Sequence, residues 1–207
     1  MENMTRRDFG KLAGMTGLGL AVSSAVTLTG CNFVQDVANW TATAEESIAS
    51  IESILTANGQ TIPAGPLAEV NAALAAVHEA AAAYLATSPA PVGALQKVEA
   101  ALTDCSDAIG SFLTALGLPG GGLLTLVTEL GEFLLSTIAG FVNQATAASG
   151  SQVAATSFRV GANVYSVTPK VRSKRAFKKG WNQLLHSAKG VNVPRGAELH
   201  VSLFEHF

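Results

Sequence analysis

Leu95-Gln96-Lys97-Val98-Glu99-Ala100-Ala101-Leu102-Thr103-Asp104-Cys105-Ser106-Asp107-Ala108-Ile109-Gly110-Ser111-Phe112-Leu113-Thr114-Ala115-Leu116 is the stretch that decides the fold. Its apolar residues Leu95, Val98, Leu102, Cys105, Ile109, Phe112 and Leu116 alternate in steps of three and four. That step keeps them on one stripe of a helix, as a seam between nearly antiparallel neighbours requires. Upstream, Val34, Val37, Thr41, Ala44, Ile48, Ile51 and Leu55 repeat the step, and so do Leu67, Val70, Leu74, Val77, Ala81 and Tyr84. Downstream, Leu123, Val127, Leu130, Leu134, Ile138 and Phe141 follow it on a wider apolar arc that includes Leu124, Leu126, Phe133 and Leu135. Turn-forming residues part the segments: Asn58-Gly59 with Pro63 and Gly65-Pro66, then Ser88-Pro89-Ala90-Pro91, then Leu118-Pro119-Gly120-Gly121-Gly122. Loops this short turn each helix back along the one before. The fold class expected is all-α in the main, an antiparallel up-and-down four-helix bundle over residues 31–147.

The bundle offers little chemistry. A di-iron carboxylate site needs Glu-x-x-His pairs facing inward, and the chain contains none. His78 stands between Val77 and Glu79, at a boundary. Asp104 with Asp107 and Glu129 with Glu132 share helix faces, the arrangement of a solvated surface. Cys105 falls in the seam as a small hydrophobe and has no histidine near it in sequence to activate it. No metal, cofactor or catalytic residue is expected. Gly-x-Ser-x-Gly, a phosphate loop with its lysine and His-Glu-x-x-His are all missing from the sequence. An alternative role for the fourth segment is insertion into a bilayer over 121–142, as in a holin-like or pore-forming protein. Glu129 and Glu132 in its middle oppose that, because carboxylates are costly at bilayer depth.

The net charge of −2 conceals an asymmetry. From Cys31 to Glu132 the acids run from Asp36 through Glu45, Glu46 and Glu52 to Glu132, against Lys97 as the only base. From Phe133 to Ala197 there is no acid, while Arg159, Lys170, Arg172, Lys174, Arg175, Lys178, Lys179, Lys189 and Arg195 are all basic. After a linker over 148–157, the extension 158–207 reads as a small basic α+β or partly disordered segment. Phe158, Val160, Ala162 and Val164 alternate like a strand, as do Leu199, Val201 and Leu203. Between them Phe177, Trp181, Leu184, Leu185 and Ala188 line one face of a helix. Lys174, Arg175, Lys178, Lys179 and Trp181 form the expected contact patch. Its candidate partners are an anionic lipid, an anionic envelope polymer and the chain's own acidic bundle. Nucleic acid is set aside on the ground of the export that the N-terminal motifs quoted next imply. Glu198, His200 and His206 sit too far apart along a strand to share one ion.

That N-terminus reads Thr5-Arg6-Arg7-Asp8-Phe9-Gly10-Lys11, followed by an uncharged stretch from Leu12 and then Leu28-Thr29-Gly30-Cys31. The first motif resembles the twin-arginine export signal, with Arg6, Arg7, Phe9 and Lys11 in the characteristic places. The second resembles a lipobox, whose cysteine is lipidated before the chain is cut in front of it. Gly14, Gly17, Gly19, Ser23, Ser24, Thr27 and Thr29 keep the stretch between them weakly hydrophobic, as suits a signal rather than a permanent span. The resemblance covers residues 5–31 and implies a bacterial lipoprotein with residues 1–30 removed. Cys31 then carries the lipid, and the protein faces the periplasm from the inner or the outer membrane of the envelope. A lipidated Cys31 leaves Cys105 without an intramolecular partner, so no disulfide is expected. The function implied is that of a non-catalytic structural or interaction module.

Overall fold

A computed structural model describes residues 6–87, 93–149, 156–160 and 163–202. Side chains are described from Asn32 onward, those of 148–149, 156–160 and 163 excepted. Four long helices carry the four seams: α1 (Arg6–Ala57), α2 (Ala64–Leu85), α3 (Ala94–Ala115) and α4 (Gly122–Ser149). Each packs on the next and α4 returns to α1, which closes the ring of an up-and-down bundle.

The helices stop where the backbone needs glycine or proline. α1 ends in a Schellman arrangement: Gln60 N–H donates to Leu55 O at 2.9 Å and Gly59 N–H donates to Thr56 O at 3.0 Å. Gly59 supplies the left-handed conformation this requires, at φ 71°. Pro63 caps α2 in extended conformation, and left-handed Gly93 precedes α3. None of these caps is a hydroxyl or carboxylate side chain, so tertiary packing carries the helices.

The seams are the core. Every seam residue from Val34 to Leu55 is buried, as are Val98, Leu102, Cys105, Ile109, Phe112, Val127, Leu130, Leu134, Ile138 and Phe141. Leu67, Leu95 and Leu123, each in the first turn or two of its helix, are only partly covered. α3 and α4 approach closely at Gly131, where an added Cβ would lie 2.5 Å from Leu113 Cδ1.

The extension differs in detail from its expected strand, helix, strand order. α4 runs on to Ser149 and the next described element begins at Thr156, so most of the expected linker 148–157 lies outside the described residues. The single strand expected around Phe158–Val164 is a hairpin of β1 (Thr156–Val160) and β2 (Asn163–Val167), paired antiparallel with Thr156 opposite Val167. Alternation is the same in one strand or two, and Gly161 stands between them in sequence. The helix is α5 (Lys174–Ser187), opened by Ser173, whose hydroxyl accepts from Ala176 N–H at 3.3 Å. Leu199 is not in a strand. It follows a single 3-10 turn, Arg195–Ala197, and both its backbone groups bond to one side chain. Asn182 Nδ2 donates to Leu199 O at 2.8 Å and Leu199 N–H donates to Asn182 Oδ1 at 2.9 Å. The amide of Asn182 takes the place of a partner strand. Leu203 and His206 lie outside the described residues.

Candidate functional site

The extension forms a strap along the groove between α1 and α4. It begins where Lys170 N–H donates to Ser136 O at 2.8 Å. Gly140 makes room for this crossing, since a Cβ there would lie 2.7 Å from both Lys170 C and Val171 N. Arg172 turns inward. Its Nη1 donates to Ser136 Oγ at 2.6 Å and to Thr137 Oγ1 at 2.8 Å, and its guanidinium lies 4.1 Å from the centre of the Phe133 ring. Partial burial lowers its pKa from the ordinary arginine value.

α5 then lays Phe177, Trp181 and Leu185 into the groove, all of them buried. Phe177 stacks on Trp181 at 5.8 Å between ring centres and meets Phe133 at 5.0 Å and Trp40 at 6.3 Å. Trp40 and Phe33 both meet Phe141, so one aromatic chain joins α1, α4 and α5. Gly180 allows α5 this close to α4, because a Cβ there would fall 2.5 Å from Phe133 Cζ. Two buried polar side chains are matched across the seam, while the buried indole nitrogen of Trp40 has no hydrogen-bond partner among the described residues. Trp181 Nε1 donates to Ser50 Oγ at 3.1 Å, and Ser50 Oγ donates to Ala197 O at 2.6 Å. Beyond α5, Asn58 and Asn192 clamp the far end: Asn58 Nδ2 donates to Asn192 O at 2.8 Å, and Asn192 Nδ2 donates to Ala57 O at 3.1 Å.

This geometry corrects the expected contact patch. Trp181 is fully buried, and Lys178 is only 3% exposed. Lys178 Nζ pairs with Glu46 Oε2 at 3.2 Å and donates to His200 O at 2.9 Å, inside the strap–bundle interface. Both residues share the apolar stripe of α5 with Leu185, so neither can face outward while the stripe is docked. Arg175 and Lys179 are exposed, and Lys174 is half-buried. The five expected residues therefore split between an inner and an outer face. Of the export signal, Arg6, Arg7, Phe9 and Lys11 lie on α1 with undescribed side chains, and the Cys31 side chain is likewise outside the description.

Charge matching is the lesser part of the strap's attachment. Glu46 remains about half exposed, at 48%, so its pair with Lys178 is partly screened by solvent. Full burial of a large apolar side chain contributes about 1.5–3 kcal/mol, and Phe177, Trp181, Leu185, Ala197 and Leu199 are all covered. Composition pointed to the charges; the residues that hold the strap include Ser50, Asn58, Asn182 and Asn192, single small polar residues that no spacing distinguishes.

No group of three or more His, Cys, Asp or Glu side chains able to hold a metal is found among the described residues. His186 Nε2 and Glu198 Oε1 meet at 3.1 Å on the surface. Thr146 Oγ1 donates to Glu99 Oε1 at 3.0 Å between α4 and α3. Cys105 is wholly buried, and burial pushes its thiol up to about 12, which makes it a poor nucleophile at neutral pH. α4 is long and apolar enough to cross a membrane over Gly122–Ala147, yet 61% of its most apolar window is buried in the bundle.

No family model matches the chain, and neither the curated proteins nor the solved structures include a match. The fold and the strap define a helical bundle clasped by its own C-terminal extension.

Proposed function

We propose that the chain is a bacterial lipoprotein of the cell envelope, exported through the twin-arginine route, cut before Cys31 and anchored by acyl chains on that residue. The observation that carries the reading is the place of Cys31 relative to the core. The lipobox-like cysteine lies two residues before Phe33, so a chain starting at Cys31 keeps every described core residue from Phe33 to Leu199. The cut falls within α1 and leaves every buried residue described on that helix in place. The buried thiol of Cys105 agrees, because a domain that needs no oxidation can finish folding before it is exported. The role is that of a structural or interaction module. Insertion of α4, the competing reading, would uncover the apolar seams of α1 and α3 that α4 closes.

Fractionation of cells tests the reading. Cys31→Ala should abolish acylation and move the protein out of the detergent-extracted membrane fraction or leave it unprocessed. Arg6→Lys with Arg7→Lys should hold the full-length chain in the cytoplasm. A wild-type chain that stays soluble and full-length in the cytoplasm would overturn the proposal.

A further inference from the structure

The end of the molecule that carries Cys31 has a surface unlike the rest. Phe33, two residues after the cysteine, meets the ring of Phe141 at 6.1 Å, which sets that level of α1 beside the C-terminal part of α4. Gly140, the neighbour of Phe141, is where the strap crosses α4 at Lys170 and Val171. A helix rises about 1.5 Å per residue, so Val171 lies within one or two helical turns of the anchor's level. Val171 is 45% exposed and Val164, on β2, is 57% exposed, the large hydrophobics exposed among the described residues. On β2 the side chains alternate, with Val164 and Ser166 outward and Tyr165 and Val167 toward the bundle. Lys170 and Arg175 are exposed in the same segment, which contains no acid. On α1 just after the anchor, Asn32 and Gln35 are exposed amides, and Asp36 is the first carboxylate that follows Cys31 in sequence.

We propose that Val164 and Val171, flanked by Lys170 and Arg175, rest on the anionic headgroup surface of the membrane in which Cys31 is anchored. The inference rests on the lipoprotein reading and adds a second, protein-borne contact to it. Acyl chains alone tether a protein without orienting it. Apolar side chains beside basic ones fit the boundary between headgroups and acyl chains, and Val171 among them is near the anchor's level. Their charge meets that of anionic lipid. The bundle then stands on the membrane with the Asn58–Asn192 clamp pointing away from it.

The test uses the acylated protein in vesicles of phosphatidylglycerol and phosphatidylcholine. Val164→Cys, Val171→Cys and, in the α1–α2 loop at the far end, Thr61→Cys are each labelled with a polarity-sensitive dye; buried Cys105 and acylated Cys31 do not react. Labels at 164 and 171 should shift to shorter wavelength and be quenched several-fold more by spin-labelled lipid than the label at 61. Lys170→Ala with Arg175→Ala should remove most of that difference in the anionic vesicles. Equal, water-like emission at all three positions would overturn the proposal. The intact mass of the same samples reads the anchor separately. An acylated chain with silent labels sinks the surface and keeps the lipoprotein, while a chain without acyl mass whose labels still respond in a Cys31→Ala background does the reverse.

Discussion

Trp181 on α5 donates its indole hydrogen to Ser50 on α1 across 131 residues of sequence, and both side chains are buried. Ser50 passes its own hydrogen to the carbonyl of Ala197, so one hydroxyl joins the bundle, the strap helix and the turn beyond it. Ser50→Ala strands a buried donor and a buried acceptor and should cost about 1–3 kcal/mol in urea unfolding. Trp181→Ala removes the aromatic body as well and should cost about 3–5 kcal/mol. If the hydroxyl matters through the indole, Ser50→Ala should cost less in a Trp181→Phe background. Equal costs in both backgrounds would assign its contribution to Ala197 alone.

Three glycines predict opposite signs. Gly140→Ala drives a Cβ against the strap backbone at 2.7 Å, where nothing flexible can give way, and should destabilise by about 1–3 kcal/mol. Gly180→Ala meets the Phe133 ring that Arg172 covers and should also destabilise. Gly196→Ala, in the 3-10 turn with open space around it, should stabilise by up to about 1 kcal/mol. Thermal melts of the three variants check the order.

Glu132 gives a pH dependence. Burial, and secondarily the charge of Glu129, raise its folded pKa above the ordinary glutamate value. Between the unfolded and folded values the native state holds more proton, so ionisation destabilises the fold as pH rises through that window. Glu132→Gln should therefore raise the melting temperature at pH 7, and the gain should shrink towards zero below about pH 4. A gain that grows on acidification would contradict the sign.

Cys105 reports on opening of the bundle. With its thiol buried and held near 12, labelling at pH 8 should be slow and follow the unfolding equilibrium, rising steeply through the urea transition. Fast labelling of the native chain would mean that the α3 seam is open.

The bundle was legible in the sequence because a seam repeats: steps of three and four over four segments locate the buried residues without knowledge of the partner helix. The strap was half legible. Phe177, Trp181 and Leu185 mark the buried stripe of α5, and Lys178 falls on the same stripe at positions 178, 181 and 185. Reading Lys178 with its neighbours in sequence placed it on the surface; reading it by helical step would have placed it inside, opposite an acid. The Leu199–Val201–Leu203 alternation misled for another reason. Alternation reports that one side of an extended chain is covered, and here part of the cover is the Asn182 side chain rather than a strand. Ser50 and Asn58 carry no local signal, since their partners lie more than 130 residues away in sequence.

The most direct test of the account is the intact mass of the protein purified from its native membranes. A chain that begins at Cys31 and carries added acyl mass is the predicted result. A chain that begins at Met1 with no added mass would contradict export and anchoring together.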